Sequence, residues 1–187
     1  SLDRTGYLAT VTGAIWGIQG RTFDNIDDKI TIPRVSSLEP ANSVWFGAWI
    51  KPTSINTEGI IDKPNTSHAP PYYSYELELT DNKAVASVAA GGVYDNLTGA
   101  SDISTTAFTC LDILYDGANT YIYLNTVQDA VQAQTGAITY YNTELTIGNL
   151  RNNAYPLGGL IGEVWVNGSG SLAEIKRHYL ATKWRFQ

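Results

Sequence analysis

Three acidic residues, Glu76, Glu78 and Asp81, occupy positions i, i+2 and i+5 of one stretch of the chain. A retaining glycosidase needs two carboxyl groups about 5 Å apart, and alternate residues of a strand can place them on one face. Here the two glutamates alternate with apolar side chains, which is typical of a strand with one buried and one solvated face. Asp81 falls in the turn that follows this strand. The pattern therefore favours a solvated strand face over a catalytic pair.

Tyrosines and polar residues also concentrate in segments predicted to be loops or strand edges. Sugar sites lay pyranose rings on flat aromatic faces and hold the hydroxyls with Asn, Asp, Gln and Arg, because the C–H faces are apolar and the rim is polar. Tyrosine is also common, without a ligand, at the rims of β-sandwiches, but loops carry binding sites disproportionately. The candidate ligand-binding residues are Tyr72, Tyr73, Tyr94, Asn96, Arg151, Asn153 and Tyr155, with a further Tyr-Tyr-Asn group at 140–142.

Potential metal ligands are few. Asp24, Asp27 and Asp28 could donate oxygen ligands to Ca²⁺, which takes six to eight of them, although such a cluster more often makes a turn with Asx hydrogen bonds. His68 and His178 are far apart, and neither has a neighbour at metal-ligand spacing, so both are expected on the surface or on a helix face. No cofactor is predicted with certainty, and a structural Ca²⁺ is the one metal considered.

Little in the sequence supports catalysis. Cys110 lies in the apolar run 108–115, where nothing nearby marks a His or Asn partner, so it is expected to be a small buried residue. The chain has no G-x-S-x-G elbow, P-loop or dinucleotide fingerprint. Glu163 is expected to be a structural polar group in the last strand. No catalytic residue is assigned.

Length and charge bound the class of protein. A chain of 187 residues predicts one domain over 1–187. The net charge of −6, with Lys and Arg scattered, lacks the clustered basic face that nucleic-acid binding needs. No apolar segment approaches the roughly 20 residues of a membrane span, and no signal peptide is recognisable. The start at Ser1 and the absence of Met predict processing or excision from a longer protein.

Short strands separated by turn signals predict an antiparallel two-sheet sandwich. Trp45, Trp49 and Trp165 are expected in its core or between its sheets. The Asn125-Thr126 pair predicts a bulge or a longer turn, because Thr tolerates a left-handed backbone poorly. The predicted strands are 21–23, 29–32, 44–50, 59–62, 75–80, 84–89, 108–115, 121–124, 127–131, 145–148 and 160–166.

One helix is predicted near the end of the chain. Ser171 is a natural N-cap, and Glu174 three residues later completes a capping box. The helix is expected to end near Lys183. Ile175, Tyr179 and Leu180 recur at helical spacing, so their face should close over the end of a sheet. Lys176, Arg177 and Lys183 should then face water.

Taken in order, several segments resemble a laminin-G-like domain of the concanavalin A-like jelly-roll superfamily, the group of pentraxins and legume lectins. Residues 22–33 resemble "sFDGxDDyVxIP", and residues 115–117 match "tYDG". Residues 123–127 resemble "lYVNGV", residues 145–148 resemble "lxIG", and residues 159–186 resemble "GxIaEVxvYnraLsxaEixxxYlaxKxrF". The resemblance implies an all-β, concanavalin A-like, antiparallel two-sheet jelly roll with one short C-terminal helix.

The sequence departs from this family at several points. Relatives begin with one more strand before the position of Asp3, and many carry an Asp that helps to bind a structural Ca²⁺ where this chain has Gly162. Laminarinase-type hydrolases on the same fold use an E-x-D-x-x-E strand. The residue types at 76, 78 and 81 are permuted relative to that motif, and the flanking Trp and Met are absent.

The resemblance implies a non-catalytic, lectin-like carbohydrate-binding or adhesion module, with a polysaccharide or glycan as its ligand. The alternative is a structural or protein-interaction domain whose partners are other virion or surface proteins. A glycoside hydrolase or polysaccharide lyase using Glu76 and Glu78 is the third hypothesis. Residues 179–186 resemble the ends of domains in bacteriophage and microbial surface proteins, so the expected location is extracellular, on a cell surface or on a virion.

Overall fold

The computed structural model describes residues 6–54, 56–65, 70–150 and 153–187. These residues form fourteen strands, one α-helix and two short 3₁₀ turns. The turns are Ser36–Leu38 and Lys183–Arg185, and the helix α1 is Leu172–Thr182. The strands are β1 Thr10–Thr12, β2 Ile15–Gly17, β3 Gly20–Asp24, β4 Lys29–Ile32, β5 Val44–Pro52, β6 Glu58–Pro64, β7 Tyr73–Thr80, β8 Lys83–Val88, β9 Asn96–Asp102, β10 Thr109–Tyr115, β11 Asn119–Leu124, β12 Val127–Ala133, β13 Leu145–Ile147 and β14 Gly158–Asn167.

The strands form two antiparallel sheets of seven strands each. Sheet A has the order β1-β4-β13-β6-β7-β8-β9, and sheet B has the order β12-β11-β10-β5-β14-β3-β2. Many neighbours are distant in the sequence, so the sheets are closed by crossover connections. This architecture confirms the predicted all-β jelly-roll sandwich with one short C-terminal helix.

The main core lies between the inner faces of the two sheets. Alternate residues of β7 and β8 face inward and are almost completely buried, as the period of two of a strand requires. They pack against the inward residues of β5 and β10. The larger residues of this main core are Phe23, Phe46, Ile50, Ile61, Tyr75, Leu77, Leu79, Leu111, Ile113, Tyr115 and Ile122.

A second core lies on the outer face of sheet B, beneath α1. Trp49 stacks on Tyr179 and Phe186, with ring centroids 5.4 and 4.8 Å apart, and its indole N–H donates to Thr182 Oγ1 at 3.0 Å. Trp45 and Trp165 are buried in the same cluster. The prediction that these tryptophans are core residues is therefore confirmed. The alternative prediction, that they pack between the two sheets, is wrong, because they lie on the outer face of sheet B.

The helix begins as predicted. The Ser171 hydroxyl accepts from the Glu174 backbone N–H at 3.3 Å and donates to the Glu174 carboxylate at 2.8 Å. Ile175 is fully buried against the outer face of sheet B, whereas Leu180 is 61% exposed. Leu180 follows Ile175 by five residues, which places it about 140° round the helix. The prediction that it shares the buried face is wrong.

Two details of the strands differ from the predictions. The β11–β12 hairpin turns on Asn125 and Thr126 alone, with φ of 50° and 75°, and its bulge lies further along, beside Ile122 and Tyr123. Strand β9 was not predicted, because only Leu97 and Gly99 of its seven residues are buried and it lacks an apolar alternation.

The two long edges of the sandwich differ. On one side, the Asp129 carboxylate of β12 accepts backbone N–H groups of Ala100 and Ser101 of β9 at 2.8 and 3.1 Å, which joins the sheets. On the other side, a groove of about 730 Å³ opens between β4 and β13 of sheet A and β3 and β14 of sheet B. Trp16, 71% exposed, lies at its rim.

Candidate functional site

One row of polar residues crosses all seven strands of sheet A on its outer face. Residues that pair directly across antiparallel strands share a face of the sheet. Thr146 lies between Leu145 and Ile147, which belong to the core, so its own side chain points outward. The row runs through the register pairs Thr10–Thr31, Thr31–Thr146, Thr146–Asp62, Asp62–Glu76, Glu76–Ser87 and Ser87–Asn96.

The acidic members of this row are buried. Glu76 is 2% exposed and Asp62 is 0% exposed. Tyr73 hydrogen-bonds Glu76. Residues 149–150 cover Gly59 of β6, where an added Cβ would lie 2.6 Å from Leu150 Cδ2. The predicted solvated face is wrong at Glu76, because Tyr73 and the paired residues of β6 and β8 are its neighbours in the folded chain.

Burial controls the charge of Glu76. It raises the pKa of Glu76 well above its ordinary value, and the nearby charges of Glu78 and Asp62 raise that pKa further. The hydrogen bond from Tyr73 opposes this rise. Within the described chain, Glu76 Oε1 has no hydrogen-bond partner. A glycosidase nucleophile must be reachable by its substrate, whereas Glu76 is 2% exposed and its burial disfavours the ionised carboxylate.

Three tyrosines form a cluster at the Pro64 end of β6, beside this row. The Tyr72 and Tyr94 ring centroids lie 5.3 Å apart with the planes nearly perpendicular, and Tyr73 lies 6.0 Å from Tyr94 and 6.3 Å from Tyr72. All three rings are half-buried. Tyr72 and Tyr73 enter β7, whereas Tyr94 comes from the β8–β9 connection. The structure thus brings together tyrosines about twenty residues apart in sequence.

Polar groups border this tyrosine cluster. Asn96 is the first residue of β9, and its side-chain oxygen accepts from Ser87 Oγ at 2.5 Å. Tyr94 hydrogen-bonds both of these side chains, while burial raises its pKa. Asp95, exposed, accepts a hydrogen bond from Gln132. Half-buried aromatic rings beside fixed amide and hydroxyl groups supply both kinds of contact that a sugar ring requires.

The remaining candidate residues lie elsewhere. Asn153 accepts a hydrogen bond from Lys29 Nζ at 2.8 Å, beside β4. Tyr155, 43% exposed, accepts the Gly59 backbone N–H through its carbonyl at 2.8 Å. Gly59 and the Pro64 end of β6 are about 16 Å apart along the strand. Tyr155 and Asn153 are therefore separate from the tyrosine cluster, and Arg151 lies outside the described residues.

The Tyr-Tyr-Asn group at 140–142 has mainly structural contacts. Tyr140 packs edge-on against Tyr75 at 6.2 Å and donates through its hydroxyl to the Pro40 carbonyl at 2.9 Å. Asn142 lies 3.4 Å from Arg34. These contacts place Tyr140 at the rim of the main core, away from the tyrosine cluster.

The acidic turn between β3 and β4 forms the predicted Asx hydrogen bonds. Asp24 accepts the Ile26 N–H, and Asp28 accepts the Asp24 N–H, each at 2.9 Å. One oxygen from each of Asp24, Asp27 and Asp28 lies within 4.8 Å of the other two. Burial raises the pKa of Asp28, as do the charges of the other two. Calcium binding at this turn stays a prediction.

Gly162 does not belong to that acidic turn. In the β3–β14 ladder Asp24 pairs with Gly158, so Gly162 lies about 13 Å further along the strand. A Cβ at Gly162 would lie 2.1 Å from Phe186 Cε1. Glycine at this position admits the Phe186 ring into the second core.

A third group of side chains meets in the fold although no pattern in the sequence marks it. His178 was expected on the surface or on a helix face without partners, but it packs between Trp45 and Trp165. It lies close to Cys110, which is buried as predicted, and to Asp112. Glu163 accepts from Arg185 at 2.8 Å, which fits its predicted structural role. His68 lies outside the described residues.

Residues 23–176 match the laminin-G-like family model described as the concanavalin A-like lectin/glucanases superfamily. The match covers most of the chain, so the protein belongs to this family. No curated protein matches the sequence. None of the helices in the described residues has the length and apolarity of a membrane span.

Solved structures with this fold include receptor-binding domains of bacterial toxins. One is the ligand-binding domain of botulinum neurotoxin serotype D in complex with N-acetylneuraminic acid, with a TM-score of 0.71 at 12% identity. The aligned region covers 96% of this chain and 48% of the toxin chain. The binding domain of Paraclostridial mosquitocidal protein 1 has a TM-score of 0.70 at 12% identity, with coverages of 95% and 48%. Botulinum neurotoxin type C, whose cell entry depends on two ganglioside molecules, has a TM-score of 0.68 at 12% identity, with coverages of 96% and 48%. The chain thus spans about half the length of these structures.

Proposed function

We propose that this chain is a non-catalytic carbohydrate-binding module whose site is the tyrosine cluster Tyr72, Tyr73 and Tyr94 with Asn96. The observation that carries this proposal is the convergence of three half-buried rings and a fixed amide at one end of the sheet A outer face. A pyranose ring stacked on these rings would place its hydroxyls beside Asn96 and Asp95. The ligand class is a polysaccharide or glycan.

Two further observations support the proposal of a non-catalytic carbohydrate-binding module. The related toxin domains bind N-acetylneuraminic acid or depend on gangliosides, so sialylated glycans are the first ligands to try. Of the two carboxyl groups that a hydrolase would use, Glu76 is 2% exposed and hydrogen-bonded by Tyr73, and Glu78 is half-buried. A surface role, on a cell, a virion or a secreted protein, follows from glycan binding.

The test is a glycan array probed with the purified chain, in calcium and again in a chelator. We expect binding that falls at least about tenfold in Tyr94→Ala, because losing an aromatic anchor costs on the order of 1.4 kcal/mol or more. Tyr155→Ala, an exposed tyrosine remote from the cluster, is the matched control. Binding that disappears equally in both variants, or no binding by the folded wild type, contradicts the proposed site.

The calcium arm tests the acidic turn separately. If glycan binding needs Ca²⁺ held by Asp24, Asp27 and Asp28, the chelator and Asp27→Asn should weaken it to the same extent. Binding that is equal in both buffers removes calcium from the mechanism but leaves the tyrosine cluster in place.

A second function, that of a protein-interaction or structural module, is favoured by the exposed apolar edge of sheet B. Ile15, Trp16 and Ile18 are between 71% and 106% exposed along and after β2. A structural module would use this edge to contact another copy or another surface protein. Light scattering on the wild type and on Trp16→Ser tests this: assemblies that dissociate in the variant support it, and a monomeric wild type at high concentration opposes it.

A further inference from the structure

Three potential metal ligands meet beneath α1, on the opposite side of the molecule from the tyrosine cluster. Cys110 and Asp112 alternate on β10, so both side chains leave the same outer face of sheet B. His178 reaches this face from α1. One ligand atom from each of the three residues lies within 4.8 Å of the other two.

The spacing of the first two ligands fits a tetrahedral ion. Cys110 Sγ lies 3.5 Å from Asp112 Oδ2. In a tetrahedral zinc site, with Zn–S of about 2.3 Å and Zn–O of about 2.0 Å, the sulfur and oxygen are about 3.5 Å apart. The hydrogen-bonded pair is therefore already at the separation of two ligands of one ion.

The charge of this pocket also favours a cation. Asp112 is fully buried, and among the described residues it has no Lys or Arg as an ion-pair partner. A divalent ion would neutralise both this carboxylate and a Cys110 thiolate.

The histidine is placed to complete the set. Its ring packs 4.3 Å from the Trp165 ring, and within the described chain its buried Nδ1 has no hydrogen-bond partner. His178 Nε2 lies 3.7 Å from Glu163 Oε1. His178, Trp165 and Glu163 line the groove of about 730 Å³, so the histidine side of the cluster borders open space, while Cys110 and Asp112 are buried.

We propose that Cys110, Asp112 and His178 bind one Zn²⁺, which fixes α1 to the outer face of sheet B. The ion displaces the Cys110 thiol proton to solvent and takes the sulfur, Asp112 Oδ2 and one His178 ring nitrogen as ligands. A water or the Glu163 carboxylate fills the fourth position. The Trp45 indole N–H, 2.7 Å from Asp112 Oδ1, holds the carboxylate in its ligating orientation.

The test uses the full chain, stripped with a chelator and titrated first with Co²⁺, which reports a thiolate ligand through a charge-transfer absorption band, and then with Zn²⁺. We expect one ion per chain and displacement of Co²⁺ by Zn²⁺. Cys110→Ser keeps a hydroxyl donor for Asp112, and His178→Gln removes the second ligand. Each should weaken binding at least about 100-fold, because even outer-shell partners contribute 10–100-fold.

His68→Gln is the matched control, because it removes the other histidine of the chain and leaves the proposed ligands intact. It should bind Co²⁺ like the wild type. At a hundredfold excess over the wild-type Kd, Zn²⁺ should raise the Tm of the wild type by roughly 5–10 °C and that of His178→Gln by no more than about 2 °C.

Several results would overturn the zinc proposal. They are a folded wild type that shows no cobalt–thiolate band, binding by Cys110→Ser equal to that of the wild type, or loss of binding in His68→Gln. Circular dichroism of each metal-free variant shows whether it is folded. If Cys110→Ser does not fold, the cobalt spectrum of the wild type and the binding by His178→Gln decide the question.

Discussion

Glu76→Gln offers a sharp test of the outer face of sheet A. The amide has nearly the shape of a protonated glutamic acid but never ionises. In the folded chain burial holds the pKa of Glu76 well above its ordinary value of 4.5. In the unfolded chain the carboxyl group ionises normally. The variant therefore removes one titrating group and changes the packing little.

The sign of the pH effect follows from linkage. Because the folded-state pKa of Glu76 is raised, its carboxyl group stabilises the fold most below the unfolded pKa, and this contribution falls as pH rises towards the folded pKa. Within that window the wild type loses up to about 1.4 kcal/mol per pH unit that the variant does not lose. The stability of Glu76→Gln minus that of the wild type should therefore increase with pH.

Urea unfolding followed by tryptophan fluorescence between pH 4 and pH 8 measures this difference. Glu144→Gln, at a solvent-exposed position, is the control and should follow the wild type across the range. A constant difference between Glu76→Gln and the wild type, or one that falls with pH, would refute the reasoning. Glu76 would then be ionised in the folded chain, and the hydrolase hypothesis would regain its nucleophile.

Three other substitutions probe the packing. Lys63→Met removes a fully buried ammonium that lies 3.1 Å from Glu39 and donates to the Thr143 carbonyl; because Glu39 keeps Arg34 as an ion-pair partner, the cost in urea unfolding should be about 1–3 kcal/mol, and no cost would mean that the ammonium is solvated. Thr126→Gly relieves a φ of 75° and should add roughly 0.5–1 kcal/mol, seen as a higher Tm. Gly162→Ala drives a methyl group to 2.1 Å from Phe186 and should cost about 1–3 kcal/mol, and an unchanged Tm would show that the ring moves freely.

The elements that were predicted correctly are those whose sequence pattern depends only on residues close together in the chain. Strand β4 was predicted at its observed bounds. The alternation of apolar and polar residues at 75–80 predicted β7, because successive residues of a strand point to opposite faces. The Ser171 cap needed only residues within one helical turn. Strand β9 has no such pattern, since it forms by pairing with β8 and by the backbone contacts of Asp129.

The candidate site was predictable only in part. Tyr72, Tyr73 and Tyr94 stand out as aromatic residues in loops, but their convergence depends on β7, β8 and β9 being neighbours. The burial of Glu76 was not predictable, because it depends on the pairing of β7 with β6 and β8 and on the hydrogen bond from Tyr73. The same holds for Cys110 and His178, which meet only after α1 folds onto β10.

The two outer faces of the sandwich are covered by different means, and this separates binding from stability. The sheet B face is closed by α1 and a cluster of large aromatic rings, so substitutions there should lower the free energy of unfolding. The sheet A face is closed by connections, and its tyrosine cluster lies where residues 70–73 and 89–95 meet, beside the register shift at Lys63 and Pro64. The three rings contact one another and belong to neither core cluster. Their replacement should therefore leave the fold intact, and if they form the proposed site it should change glycan binding.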